Sequence, residues 1–102
     1  MTIANITTGP YWDESRGAAG TVLIPFPNPP RTFENVAIGS SWAGSAAATL
    51  DRSVALVSAF SDCYVRVQAA TPDSGDIGTL VRDSGTLPVT LRAGEKVWVK
   101  TI

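Results

Sequence analysis

The chain has 102 residues, 44% hydrophobic and 17% charged, with a formal net charge of −1; that is one globular domain with a single core, and no room for a second. Eight Lys and Arg scattered along the chain, with no basic cluster, exclude the phosphate-neutralising surface that nucleic-acid binding needs. One cysteine and no histidine leave no intrachain disulfide, no structural zinc site and no Ser-His or Cys-His nucleophile pair.

Residues 1–20 read as an extended N-terminal arm preceding a domain at 21–102. Thr2 to Thr8 has the β-branched content of a strand and stops at Gly9-Pro10. The aromatic pair Tyr11 and Trp12, set between acids and glycines, has no local core to enter, so the arm should pack on the domain or on a neighbouring subunit. The start Met1-Thr-Ile-Ala-Asn predicts no signal peptide, and no apolar run reaches membrane-spanning length.

Thr21 to Phe26 is a strand cut short by Pro25. The segment Pro25-Phe-Pro-Asn-Pro-Pro30 lacks too many backbone donors for a central strand and reads as stiff and polyproline-like. Arg31 to Ile38 offers a short strand, Gly39 to Ser45 a loop carrying Trp42, and Ala46 to Leu50 a strand of small residues. Ser53 to Phe60 is nearly continuous in apolar character, the mark of a central strand. In Cys63 to Gln68 the alternation sets Cys63, Val65 and Val67 against Tyr64, Arg66 and Gln68. A Gly/Ser/Asp-rich connection follows to Thr86, broken by a short apolar run at Ile77 to Val81. Leu87 to Ile102 reads as a closing hairpin around Arg92-Ala-Gly-Glu95, with Gly94 the natural site of a positive φ and Val97 and Val99 opposite Trp98. The sum is all-β: an antiparallel β-sandwich or jelly-roll-like domain.

Chemistry is sparse. The nine carboxylates fall mostly in turns, so a two-carboxylate hydrolase has little to stand on. Asp73-Ser-Gly-Asp76 with Asp83 resembles a calcium loop only faintly, lacking the spacing and the closing glutamate. No cofactor or metal is expected. The lone Cys63 sits in a strand pattern and reads as a small buried hydrophobe. The rings carry more. Trp98 shares its strand face with Lys96 and Lys100, and Tyr64 shares its face with Arg66. Trp98, Tyr64 and Arg66, with Tyr11, Trp12 and Phe26, are the candidate partner interface, since Trp, Tyr and Arg anchor such contacts. Two alternatives stand beside it. The rings lie under the arm or the long loop, or Trp42, Trp98 and Tyr64 form a stacking platform for carbohydrate.

The run Asp62-Cys-Tyr-Val-Arg-Val-Gln68, the loop after it, Gly85-Thr-Leu-Pro-Val-Thr-Leu91 and Arg92-Ala-Gly-Glu-Lys-Val-Trp-Val99 resemble the closing pattern of small virion proteins of tailed bacteriophages. The resemblance spans roughly Ser45 to Ile102 and carries no catalytic or binding residue with it. It implies a structural protein on the capsid surface, made in the host cytoplasm: a decoration (cement) protein bridging subunits of the major capsid protein, or a head-fibre or tail component. It also implies a homo-oligomer, with a trimer as the expected form, and no nucleic-acid or membrane partner.

Overall fold

The computed structural model describes residues 3–10 and 32–102. They form eight strands: β1 (Ile3–Pro10), β2 (Thr32–Ala37), β3 (Ala43–Gly44), β4 (Ser53–Ala59), β5 (Cys63–Gln68), β6 (Thr79–Val81), β7 (Thr86–Leu91) and β8 (Lys96–Thr101). Two four-stranded antiparallel sheets, β2-β1-β4-β7 and β3-β8-β5-β6, pack as a sandwich.

The winding explains this order. From β3 onward the chain is one long antiparallel ribbon, pairing β3 with β8, β4 with β7 and β5 with β6. Successive pairs fall in the second sheet, the first, then the second again, which is jelly-roll wrapping. β7 and β8 therefore lie in different sheets. The segment after Leu87 is not the hairpin that its sequence suggests; Arg92–Glu95 is a crossing between sheets. Gly94 does take the positive φ, at 88°, while Glu95 N donates to Arg92 O at 3.0 Å and Gly94 N to Ala48 O at 2.8 Å.

Small and β-branched side chains build the space between the sheets. Ala4, Ile6, Val36, Ala55, Val57 and Ala59 face inward from the first sheet, and Cys63, Val65, Val81, Val97 and Val99 from the second. Among the described residues the core cluster contains no aromatic ring, so this packing depends on volume matching rather than on large anchors. β4 has the buried, near-continuous apolar character expected of it and lies inside its sheet.

Two expectations change. Ala46–Leu50 is irregular, because its amides go elsewhere: Ala46 N donates to Glu34 Oε1 (2.7 Å) and Ala48 N to Glu95 O (2.8 Å). The expected arm divides. Ile3–Pro10 is a full strand between β2 and β4, with Ala4 and Ile6 entirely buried. This part is sandwich rather than appendage; nothing local in a β-branched run distinguishes a central strand from a trailing one. The strand expected at Thr21 to Phe26 and the proline segment lie outside the described residues.

Deleting residues 1–10 will therefore unfold the domain rather than free an arm. Circular dichroism of the truncated chain should lose its β signal and its cooperative melt; a truncated chain with a native-like melt contradicts the central role of β1.

Candidate functional site

The outer face of the second sheet holds the rings that the sequence singled out. Register places Arg66 beside Trp98 and Tyr64 beside Lys100, with Gly44 beside Trp98 on the other side. Trp98 is 7% exposed and Trp42 9%. Their own chain uses their polar edges: Trp98 Nε1 donates to Gln68 O at 2.9 Å, and Trp42 Nε1 to Asp73 O at 3.0 Å. Lys96 Nζ lies 5.5 Å from the Trp98 ring centre and Lys100 Nζ 5.3 Å from that of Trp42; each such cation–π contact is worth about 0.5–1 kcal/mol near a surface.

The loop 69–78 crosses this face and is tied down through its carbonyls. Gln68 Nε2 reaches Ala70 O (2.8 Å), Trp42 reaches Asp73 O, Lys100 Nζ reaches Ser74 O, and Arg66 Nη1 reaches Ile77 O (2.6 Å). Every donor comes from the sheet or its flank and every acceptor is backbone. This is why β8 is buried at Val97, Trp98 and Val99 in succession, where alternation alone predicts a half-buried strand.

Of the interface candidates, Trp98 is thus packed within its own chain. Arg66 is half-buried and committed to Ile77 O and to Gln68 Oε1 (3.1 Å); Tyr64 is half-buried beside them. Tyr11, Trp12 and Phe26 lie outside the described residues. As a stacking platform the face offers little, since both indoles are covered.

The carboxylates serve turns. Asp62 Oδ1 accepts from Asp83 N (2.8 Å) and Asp76 Oδ2 from Asp73 N (3.0 Å). The latter is turn chemistry, and among the described residues no group of three or more His, Cys, Asp or Glu is placed to hold a metal ion. Asp51 and Glu95 do share a depression of about 330 Å³, lined also by Arg52, Ser53, Thr90, Leu91 and Arg92. Each is bound to the same turn: Asp51 Oδ1 accepts from Ala93 N (3.2 Å) and Glu95 Oε1 from Arg92 N (2.6 Å). Together they hold the crossing from β7 to β8. The Asp62–Arg82 pair, at 3.4 Å with the arginine side chain 74% exposed, adds little.

Sequence reasoning missed a surface defined by what it lacks. The outer face of the first sheet carries Ile3, Asn5 and Thr7 from β1, Phe33, Asn35 and Ala37 from β2, Leu56 and Ser58 from β4, and Thr86, Pro88 and Thr90 from β7. None is charged. Every charged side chain of the described residues lies on the second sheet, in a loop, or, for Glu34, on the inner side of β2. Phe33 is 69% exposed, and Phe60, continuing β4 on the same side, 52%. At one end of this face Gly9 and Val54 are buried; the open part runs from Phe33 to Phe60. Alternation makes the outer positions of these strands readable, but only the strand order gathers them on one face. Comparison with family models, with curated proteins and with solved structures gives no match.

Two expectations follow for the buried groups. A Cβ on Gly44 would stand 2.7 Å from Trp98 Cζ3, and the ring is held by its N–H bond, so Gly44→Ala should cost about 1–3 kcal/mol; chemical denaturation with Trp fluorescence measures it, and an unchanged midpoint contradicts the packing described. Burial pushes the Cys63 thiol up, with the charge of Asp62 adding to it. An unfolded thiol ionises near pH ~8.5. Above that pH the unfolded chain has released a proton the native one keeps, so stability falls as pH rises, by at most about 1.4 kcal/mol per pH unit. Cys63→Ala should flatten that alkaline slope in urea titrations; an equal slope in the variant refutes the assignment.

Proposed function

We propose that this is a non-enzymatic structural protein of a phage particle, a capsid decoration protein that stabilises the head by bridging capsid subunits. The observation that carries this reading is the uncharged, partly apolar outer face of the first sheet. A surface with Phe33 and Phe60 exposed and no charge to desolvate is suited to burial against other protein. The distribution of the remaining chemistry supports it. Asp51, Asp62, Asp76 and Glu95 hold turns, Glu34 holds the irregular stretch at Ala46, and the two described indoles and the cysteine are packed inside the chain. Jelly-roll winding is common among capsid proteins, which is support by analogy of fold alone. The resemblance of residues 45–102 to small virion proteins points the same way.

Such a protein works by area. It has no ligand to bind and no bond to break. It covers a junction between capsid subunits and adds the free energy of that buried surface to the cohesion of the shell.

Purified particles from strains with and without the gene provide the test. The chain should co-sediment with heads, and heads lacking it should release DNA at a lower temperature. Phe60→Lys, which places a charge on the open face without touching the core, should reduce occupancy at least tenfold while the free protein melts as before. Absence of the chain from purified particles would overturn the reading, as would full occupancy by the Phe60→Lys variant.

A further inference from the structure

The sandwich has four sheet edges, and they are not alike. β3 has two residues and β6 three, too short to template another strand. The direction of the backbone groups distinguishes β7 from β2. Along a strand, alternate residues direct N–H and C=O to the same side. Ala59 N donates to Gly85 O (3.0 Å) and Ser84 N to Ala59 O (2.9 Å), so Ala59, Val57, Ala55 and Ser53 face β7. Their partners Leu87, Val89 and Leu91 face back, leaving Thr86, Pro88 and Thr90 toward the free edge. Pro88 has no N–H to offer. That edge is blocked at its centre.

β2 is open. Phe60 N donates to Ile3 O (3.0 Å), which turns Ile3, Asn5, Thr7 and Gly9 toward β4 and Ala4, Ile6 and Thr8 toward β2. Their partners Val36, Glu34 and Thr32 face β1. Phe33, Asn35 and Ala37 therefore direct three donors and three acceptors outward, and none of these has a partner among the described residues. No lysine, proline or bulge protects this stretch.

We infer that β2 pairs antiparallel with β2 of a second copy across a two-fold axis at Asn35, joining the first sheets into one eight-stranded sheet. The register is self-complementary. Asn35 faces Asn35 of the second copy, and Phe33 faces Ala37 in both directions, so the most exposed ring lies against a small side chain. All six outward groups of each chain find partners. The amide of Asn5 already donates to Asn35 Oδ1 at 3.1 Å, so the cross-strand pair extends into a four-amide ladder. Shifting the axis to Glu34 would set two carboxylates directly opposite each other, which is destabilising. A two-fold pair, rather than the three-fold one expected from the resemblance, is what an antiparallel edge can close. The inference does not depend on what the protein assembles onto.

Sedimentation velocity of the full chain at high micromolar loading should give a mass near twice 10.7 kDa. Asn35→Lys, which opposes two ammonium groups at the axis, should return it to one chain mass; Thr90→Lys on the blocked edge should leave the dimer intact. Should Asn35→Lys fail to fold, Asn35→Cys tests the same register. Directly opposed residues of such a pair lie about 5.5 Å apart between Cα atoms, within disulfide range, so mild oxidation should give a covalent dimer that Thr90→Cys does not. A monomer at all concentrations, a mass of three chains, or a dimer unaffected by Asn35→Lys would overturn the proposal. Slow amide exchange at Phe33, Asn35 and Ala37 in a monomer would do so too, since the edge would then be occupied from within.

Discussion

Everything in this molecule depends on the second sheet being covered on both sides. On one side lies the small-residue core it shares with the first sheet; on the other lie the buried indoles of Trp42 and Trp98, the former bonded to loop 69–78 and the latter to the end of β5. Among the described residues the core between the sheets has no aromatic ring, and both described indoles lie on the outer side of the second sheet or its flank. The domain is thus three layers thick. The third layer is held by directional bonds, because a loop of Gly, Ser and Asp has little apolar surface to contribute.

That division sets the character of the two outer surfaces. The second sheet uses long cationic and amide side chains to reach loop carbonyls, so Arg66, Gln68 and Lys100 gather there, with Lys96 over the Trp98 ring. Among the described residues no loop is tied down across the first sheet, whose outer face carries none of these side chains. Segregation of charge thus follows from construction, and the consequence is one polar, occupied face and one uncharged, available face.

Much of this was legible in the sequence, because alternation is a local signal. Cys63–Gln68, Thr86–Leu91 and Lys96–Thr101 lie where period-two patterning put them, and Ser53–Ala59 is central as its apolar run implies. What was not legible is non-local. The Leu87–Ile102 stretch has every mark of a hairpin, yet its halves join different sheets, since pairing depends on partners far along the chain. β1 resembles a trailing arm for the same reason. The packing of Trp98 was not legible, because it rests on the Gln68 carbonyl and on Gly44, a residue of a two-residue strand that has no side chain to signal the contact. The uncharged face became visible only when the strand order placed Phe33, Asn5, Ser58 and Thr86 side by side.

The side chains that reach loop 69–78 from the sheet and its flank all bond its main-chain carbonyls, and that has an evolutionary and practical meaning. Its outward side chains at Thr71, Asp73 and Ser74 are exposed, and the anchors beneath do not read them. Sequence drift at Thr71 and Ser74 leaves the fastening unchanged, whereas Pro72 is buried, Asp76 Oδ2 holds Asp73 N and a Cβ on Gly78 would collide with Val65 O. The same property makes it a display site: a peptide epitope substituted there would be presented on a fixed backbone, on the face opposite the uncharged one, without competing for it.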